Sequence, residues 1–81
     1  MKQGYKNTKR VGAEAKIIGQ NLVNLRKANG LSQREVADAL HTSFQQVQKY
    51  EKGVNRIPAE RLHRLKMFFN VSYALFFKGV Q

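Results

Sequence analysis

From about Ala13 onward the apolar residues recur at helical spacing, and each run ends at a residue suited to ending a helix. Ile18, Leu22 and Leu25 stand four and three apart and so share a face. They predict a first helix ending at Asn29 and Gly30, where glycine takes the left-handed conformation, with Leu31 packing back beneath it. Ser32 followed by Glu35 reads as a capping box, the hydroxyl accepting from the third helical amide and the carboxylate reaching back to the cap amide. A second helix is therefore predicted from about Gln33, with Val36, Ala37 and Leu40 on its apolar side. His41, Thr42 and Ser43 form the next turn. Either hydroxyl suits the cap of a third helix, because Gln45 and Gln46 stand three residues after Thr42 and Ser43 respectively. Val47 and Tyr50 give that helix its inward side, and Gly53 ends it.

After a loop from Val54 to Ile57, Pro58 suits the first position of a fourth helix, where its missing N–H costs nothing. Leu62, Leu65, Phe68 and Phe69 form the buried stripe of that helix, with Arg61, Arg64 and Lys66 outside and Asn70 at its end. Ser72 is expected to cap a short fifth helix, Tyr73-Ala74-Leu75-Phe76-Phe77. Its aromatic surface exceeds what one helical turn of so small a domain is expected to bury. Two readings stay open: Leu75 and both Phe rings close the floor of the bundle, or Tyr73, Phe76 and Phe77 form a dimer contact. The fold class predicted is all-α, a compact bundle of five short helices.

The outward side of the third helix carries the chemistry. Opposite Val47 and Tyr50 stand Gln45, Gln48, Lys49 and Lys52, flanked by Phe44 and Gln46, with no acid among them. Amides and ammonium groups without a carboxylate suit a polyanion. In a DNA major groove Gln can bond an adenine edge, Lys can donate to guanine, and an apolar ring can touch a thymine methyl. The plain alternative is a solvated helix face. Composition favours the first reading: the 81 residues hold fifteen Lys or Arg against five Asp or Glu, a formal charge of +10. No cysteine is present, which removes disulfides, thiolate metal sites and a Cys nucleophile. The five carboxylates with His41 and His63 show no recognisable catalytic or metal spacing, so no enzyme, cofactor or metal is expected. His41 reads as a turn residue.

Residues 1–12 carry Lys2, Lys6, Lys9 and Arg10 without an acid, and are expected to form a flexible basic arm ahead of a domain over 13–78. A groove-lying arm and a frayed terminus both fit. The apolar stretch around Met67 to Phe69 falls far short of the ~20 residues that span a bilayer, and no signal-peptide core opens the chain. A soluble, cytoplasmic protein is expected.

The segments SQREVADAL, HTS and FQQVQKYEKG, set on the second and third of five helices, resemble the lambda-repressor-like helix-turn-helix family, also called the Cro/cI or XRE type. The likeness spans about Ile18 to Phe77, and TSFQQVQKYEKGVNRIPAERL looks closest to small single-domain regulators of alphaproteobacteria. The resemblance implies base reading by Phe44, Gln45 and Lys49, with Gln46 and Gln48 secondary. It implies phosphate contacts by Ser32, Gln33, Ser43, Lys52, Asn55 and Arg56, with Gln33 also bracing the reader helix. It further implies a structural ion pair between Arg26 and Glu51, and puts His41 at a turn position usually filled by Gly. The expected function is a sequence-specific double-stranded DNA-binding transcriptional regulator, a repressor acting as a homodimer on an inverted repeat, with no room for a ligand-binding module. The alternative is an antitoxin that binds a toxin protein and autoregulates its promoter. A nonspecific RNA or membrane binder is disfavoured, because no RNP-type strand, KH-type loop or surface-lying amphipathic helix is legible.

Overall fold

The first four helices end where the backbone turns left-handed, and the residues placed there tolerate it. The computed structural model describes residues 8–81, and the side chains from Gly12 onward. Over that span five helices follow one another: α1 (Thr8–Ala28), α2 (Gln33–Leu40), α3 (Phe44–Glu51), α4 (Ala59–Phe69) and α5 (Tyr73–Phe76). Gly30 and Gly53 take φ of 67° and 72° after α1 and α3. His41 and Asn70 take φ of 56° after α2 and α4, two of the few non-glycine types that accept it. The all-α bundle matches the prediction, with the helix-turn-helix pair on the second and third helices.

Several details differ. α1 begins at Thr8 rather than about Ala13, so part of the expected arm is helical, while Met1 to Asn7 lies outside the described residues. Once a packed turn exists, each further residue adds a hydrogen bond at little cost, so the helix runs back through Gly12. At 21 residues α1 is not short. Pro58 is the cap of α4 rather than its first residue, with an extended ψ of 152°. Ser72 stands at the cap of α5, but its hydroxyl makes no cap hydrogen bond.

Leu22, Val36, Ala37, Leu40, Val47, Tyr50, Leu65 and Phe76 form the core, packed around by Leu25, Leu31, Phe44, Ile57, Leu62, Phe69 and Val71. Phe68, expected inside, is 46% exposed. Leu62, Leu65 and Phe69 already fill the arc that α4 turns inward, and Phe68 stands at its margin, edge-to-face with Phe69 at 5.0 Å between ring centres. Arg61, expected outside, is half-buried and donates to the Tyr50 hydroxyl at 2.7 Å. Lys66 is likewise half-buried, its ammonium 5.4 Å from the Tyr73 ring centre.

Phe76, expected as a possible dimer contact, is fully buried instead. α5 crosses α1, and the Asn21 side-chain amide fixes that crossing by donating to the carbonyls of Phe76 at 2.8 Å and Lys78 at 2.9 Å. Tyr73 and Phe77 stay exposed, each at 41%. The aromatic surplus is therefore divided, with one ring closing the bundle floor and two remaining outside.

Candidate nucleic-acid interface

Three contacts hold α3 in place before its outer face matters. Glu51, at the end of α3, accepts from Arg26 Nε at 2.6 Å, Arg26 Nη2 at 3.2 Å and Gln33 Nε2 at 2.8 Å. Arg26 also donates to the Leu31 carbonyl at 2.9 Å, so α1, the α1–α2 turn, α2 and α3 meet at one buried carboxylate. The side chains of Arg26 and Glu51 are only 12% and 5% exposed, and such a pair holds only when its polar atoms are partnered, as here. The second contact is backbone to backbone. Gly19 lies where α1 crosses α3, and a Cβ there would stand 2.3 Å from the Tyr50 carbonyl oxygen. Gly53 makes the third, since a Cβ on it would stand 2.6 Å from Lys16 Cα.

The N-termini of α2 and α3 are both capped. The Ser32–Glu35 capping box is complete, with the hydroxyl accepting from the Glu35 amide at 3.0 Å and the Ser32 amide donating to the carboxylate at 2.9 Å. At α3 the choice left open by the residues falls to Ser43, whose hydroxyl accepts from the Gln46 amide at 3.2 Å.

With Val47, Tyr50 and Glu51 inward, α3 leaves Gln45 and Lys49 exposed and Gln46 and Gln48 half-exposed. Phe44, on the flank of this face, is half-buried against the core, and the Arg34 guanidinium lies 4.7 Å from its ring centre. Gln46 donates to Asn55 Oδ1 at 3.0 Å, so Asn55 is turned toward the reader helix. Gln33 gives an N–H to Glu51, the bracing part of the role expected of it.

Ser32, Ser43, Lys52 and Arg56 are exposed around this face. The loop carrying Asn55 and Arg56 folds back on α3, with the Val54 and Asn55 amides donating to the Lys49 carbonyl at 3.0 and 3.3 Å. Arg56 and Ile57 border a cleft of about 170 Å³ shared with Ile18, Leu62 and Phe77. Tyr73 lies elsewhere, its hydroxyl hydrogen-bonded with His63 Nδ1 on α4. Sequence reasoning missed Gly19, Asn21 and the Arg61–Tyr50 and Gln46–Asn55 bonds. Each depends on residues far apart in the chain, or on a rotamer, and periodicity carries no signal for either.

A family model described as helix-turn-helix matches residues 22–76. An uncharacterized HTH-type transcriptional regulator of Sinorhizobium medicae is 39% identical over 61 residues, which are 75% of this chain and 44% of that protein. The chain spans about half the length of the curated relatives it matches, 44% and 50% in two of them. Antitoxin PezA of Streptococcus pneumoniae is a more distant relative, 35% identical over 57 residues, 70% of this chain and 36% of that protein. Among solved structures, the restriction-modification controller protein C.AhdI of Aeromonas hydrophila superposes with a TM-score of 0.76 at 26% identity, over 82% of this chain and 96% of that one. The family model takes in α2 and α3 whole, together with the core that braces them. The chain thus belongs to the helix-turn-helix family, of the XRE type.

Proposed function

We propose that this chain is a sequence-specific, double-stranded DNA-binding transcriptional regulator that enters the major groove with α3. One observation carries the reading: α3 is capped at its N-terminus, braced at its C-terminal end, and turns outward a face of Gln45, Gln48 and Lys49 with no exposed acid. Its only carboxylate, Glu51, is buried and paired. Phe44, Gln45 and Lys49 read bases, helped by Gln46 and Gln48, with Phe44 offering the part of its ring left outside the core. Ser32, Gln33, Ser43, Lys52 and Arg56 hold the phosphates.

The regulator works in the bacterial or phage cytoplasm as a homodimer on an inverted repeat. It represses by occupying promoter DNA. Residues 13–78 are the DNA-binding domain, and the basic residues before them add phosphate affinity. The exposed Phe77 at the mouth of the cleft beside Arg56 supports a contact between copies on that side. Similarity to an antitoxin favours a second reading, in which the chain binds a toxin protein and DNA binding serves autoregulation.

Selection from randomised duplex DNA at about 150 mM salt, where nonspecific contacts are screened, tests the DNA-reading claim. A palindromic site with half-sites about one helical turn apart is the expected result. Lys49→Ala should relax preference at one base pair by ~1–3 kcal/mol, whereas Arg56→Ala should weaken all sequences alike. Absence of any enriched sequence overturns the regulator reading, and a toxin protein retained with the chain in a pull-down supports the antitoxin one.

A further inference from the structure

We infer that Asn55 is a positioning residue for base recognition, which aims the Gln46 amide at adenine, rather than a phosphate anchor. The inference rests on the proposed reading of DNA by α3. Asn55 has one acceptor and two N–H donors, and the structure engages both ends internally. Its Nδ2 donates to the Val54 carbonyl at 3.2 Å. A carbonyl only accepts, so the amide nitrogen must face it, and Oδ1 is thereby turned to α3. There it accepts from Gln46 Nε2 at 3.0 Å.

The backbone enforces this placement. Gly53 reverses the chain with φ of 72°, and the amides of Val54 and Asn55 both close on the Lys49 carbonyl, one turn beyond Gln46 on the same side of α3. Gln46 is itself fixed by its own amide, which donates to the Ser43 hydroxyl in the first turn.

The consequence is a choice of hydrogen-bonding polarity. A free glutamine flips its amide and offers oxygen or nitrogen to a base with equal ease. With one N–H held by Asn55, Gln46 keeps Oε1 and one N–H for its ligand, an acceptor beside a donor. That pair complements the N6 amine and N7 of adenine in the major groove. The flipped amide, which guanine O6 and N7 would call for, turns Oε1 against Asn55 Oδ1 and sets two acceptors face to face. Gln46 thus reads a base directly, and Asn55 sets which one.

The test compares the wild-type chain with Asn55→Ala, Asn55→Asp, Gln46→Ala and the Gln46→Ala/Asn55→Ala double variant in selections from randomised duplexes. Thermal melts confirm that each variant folds. The expected result is a preference for adenine over guanine at one position that falls about tenfold in Asn55→Ala, because the flipped Gln46 amide then meets no opposing acceptor. All other positions should keep their preferences. Asn55→Asp retains the acceptor but loses the N–H given to Val54, so the adenine preference should fall less than in Asn55→Ala while every sequence binds more weakly. In the Gln46→Ala background, Asn55→Ala should change no base preference further. A uniform loss of affinity in Asn55→Ala with its base preferences intact overturns the inference and returns Asn55 to the phosphate contacts, and so does a loss of adenine preference in Asn55→Asp as large as that in Asn55→Ala. If the wild-type chain enriches no sequence, the reading of DNA by α3 fails first, and the inference with it.

Discussion

Gly19 shows how one residue sets the position of the whole reader helix. In the middle of α1 a glycine costs about 1 kcal/mol relative to alanine, so propensity alone favours replacing it. The Tyr50 and Glu51 carbonyl oxygens, 2.3 and 2.7 Å from where a Cβ would sit, oppose that change. Neither is a flexible side chain, so α1 and α3 must move apart. Gly19→Ala should therefore destabilise the fold by about 1–3 kcal/mol, as overpacking does, and urea unfolding measures it directly. A gain in stability would show that the crossing is looser than the structure has it. The Arg26–Glu51 pair behaves differently, because it trades desolvation for attraction. Arg26→Met leaves a buried carboxylate with Gln33 as its only donor and should cost about 3–5 kcal/mol, while Arg26→Met with Glu51→Leu should recover most of that loss. An equal loss in the double variant would mean that the pair is more than a satisfied burial. The ion pair was legible through family resemblance, because its two positions are fixed by the motif. Gly19 was not, because a glycine at mid-helix looks the same in sequence whether a backbone or open solvent lies over it.

Helix caps separate elements that fold locally from elements that lean on their neighbours. Ser32 and Ser43 both accept from the third helical amide, at 3.0 and 3.2 Å, and α2 and α3 are only eight residues each. Helices of that length are marginal in water, so each cap supplies a useful share of their stability. Ser43→Ala should cost about 0.5–2 kcal/mol and fray the turn that carries Gln45 and Gln46, so DNA affinity should fall with it. Ser72→Ala should change stability little, because that hydroxyl makes no cap bond and α5 is held by Phe76 and by Asn21. Paired thermal melts of the two variants test the contrast, and equal losses would contradict it. The same distinction explains what the sequence made legible. α2 and α3 carry their start and stop signals within a few residues, so the α2 cap, the turn and the apolar sides could be read, and the α3 cap narrowed to Thr42 or Ser43. α5 carries a serine at the right place and a run of aromatics, yet which ring turns inward depends on α1, fifty and more residues away. Phe68 was misplaced for a related reason: helical spacing shows which residues can share a face, and the neighbours decide how wide that face is.

At the scale of the molecule, charge acts in opposite directions on the two associations proposed. The chain carries a formal +10, so two copies repel each other in free solution while each is drawn to DNA. Lys52 and Arg56 are the cations among the proposed phosphate contacts, so a bound dimer neutralises at least about four phosphates, and log affinity should fall against log salt with a slope of about −4 or steeper. A single subunit would give about half that slope, so the number reports stoichiometry as well as charge. Added salt should meanwhile strengthen association between free copies, because it screens their repulsion and leaves the apolar contact around Phe77 intact. Sedimentation of the free chain and titration of DNA across the same salt series give the two trends side by side. Opposite slopes support a dimer completed on the operator, whose two half-sites bring like-charged subunits together. Parallel slopes would place the dimer contact among charged groups instead, and would remove Phe77 from it.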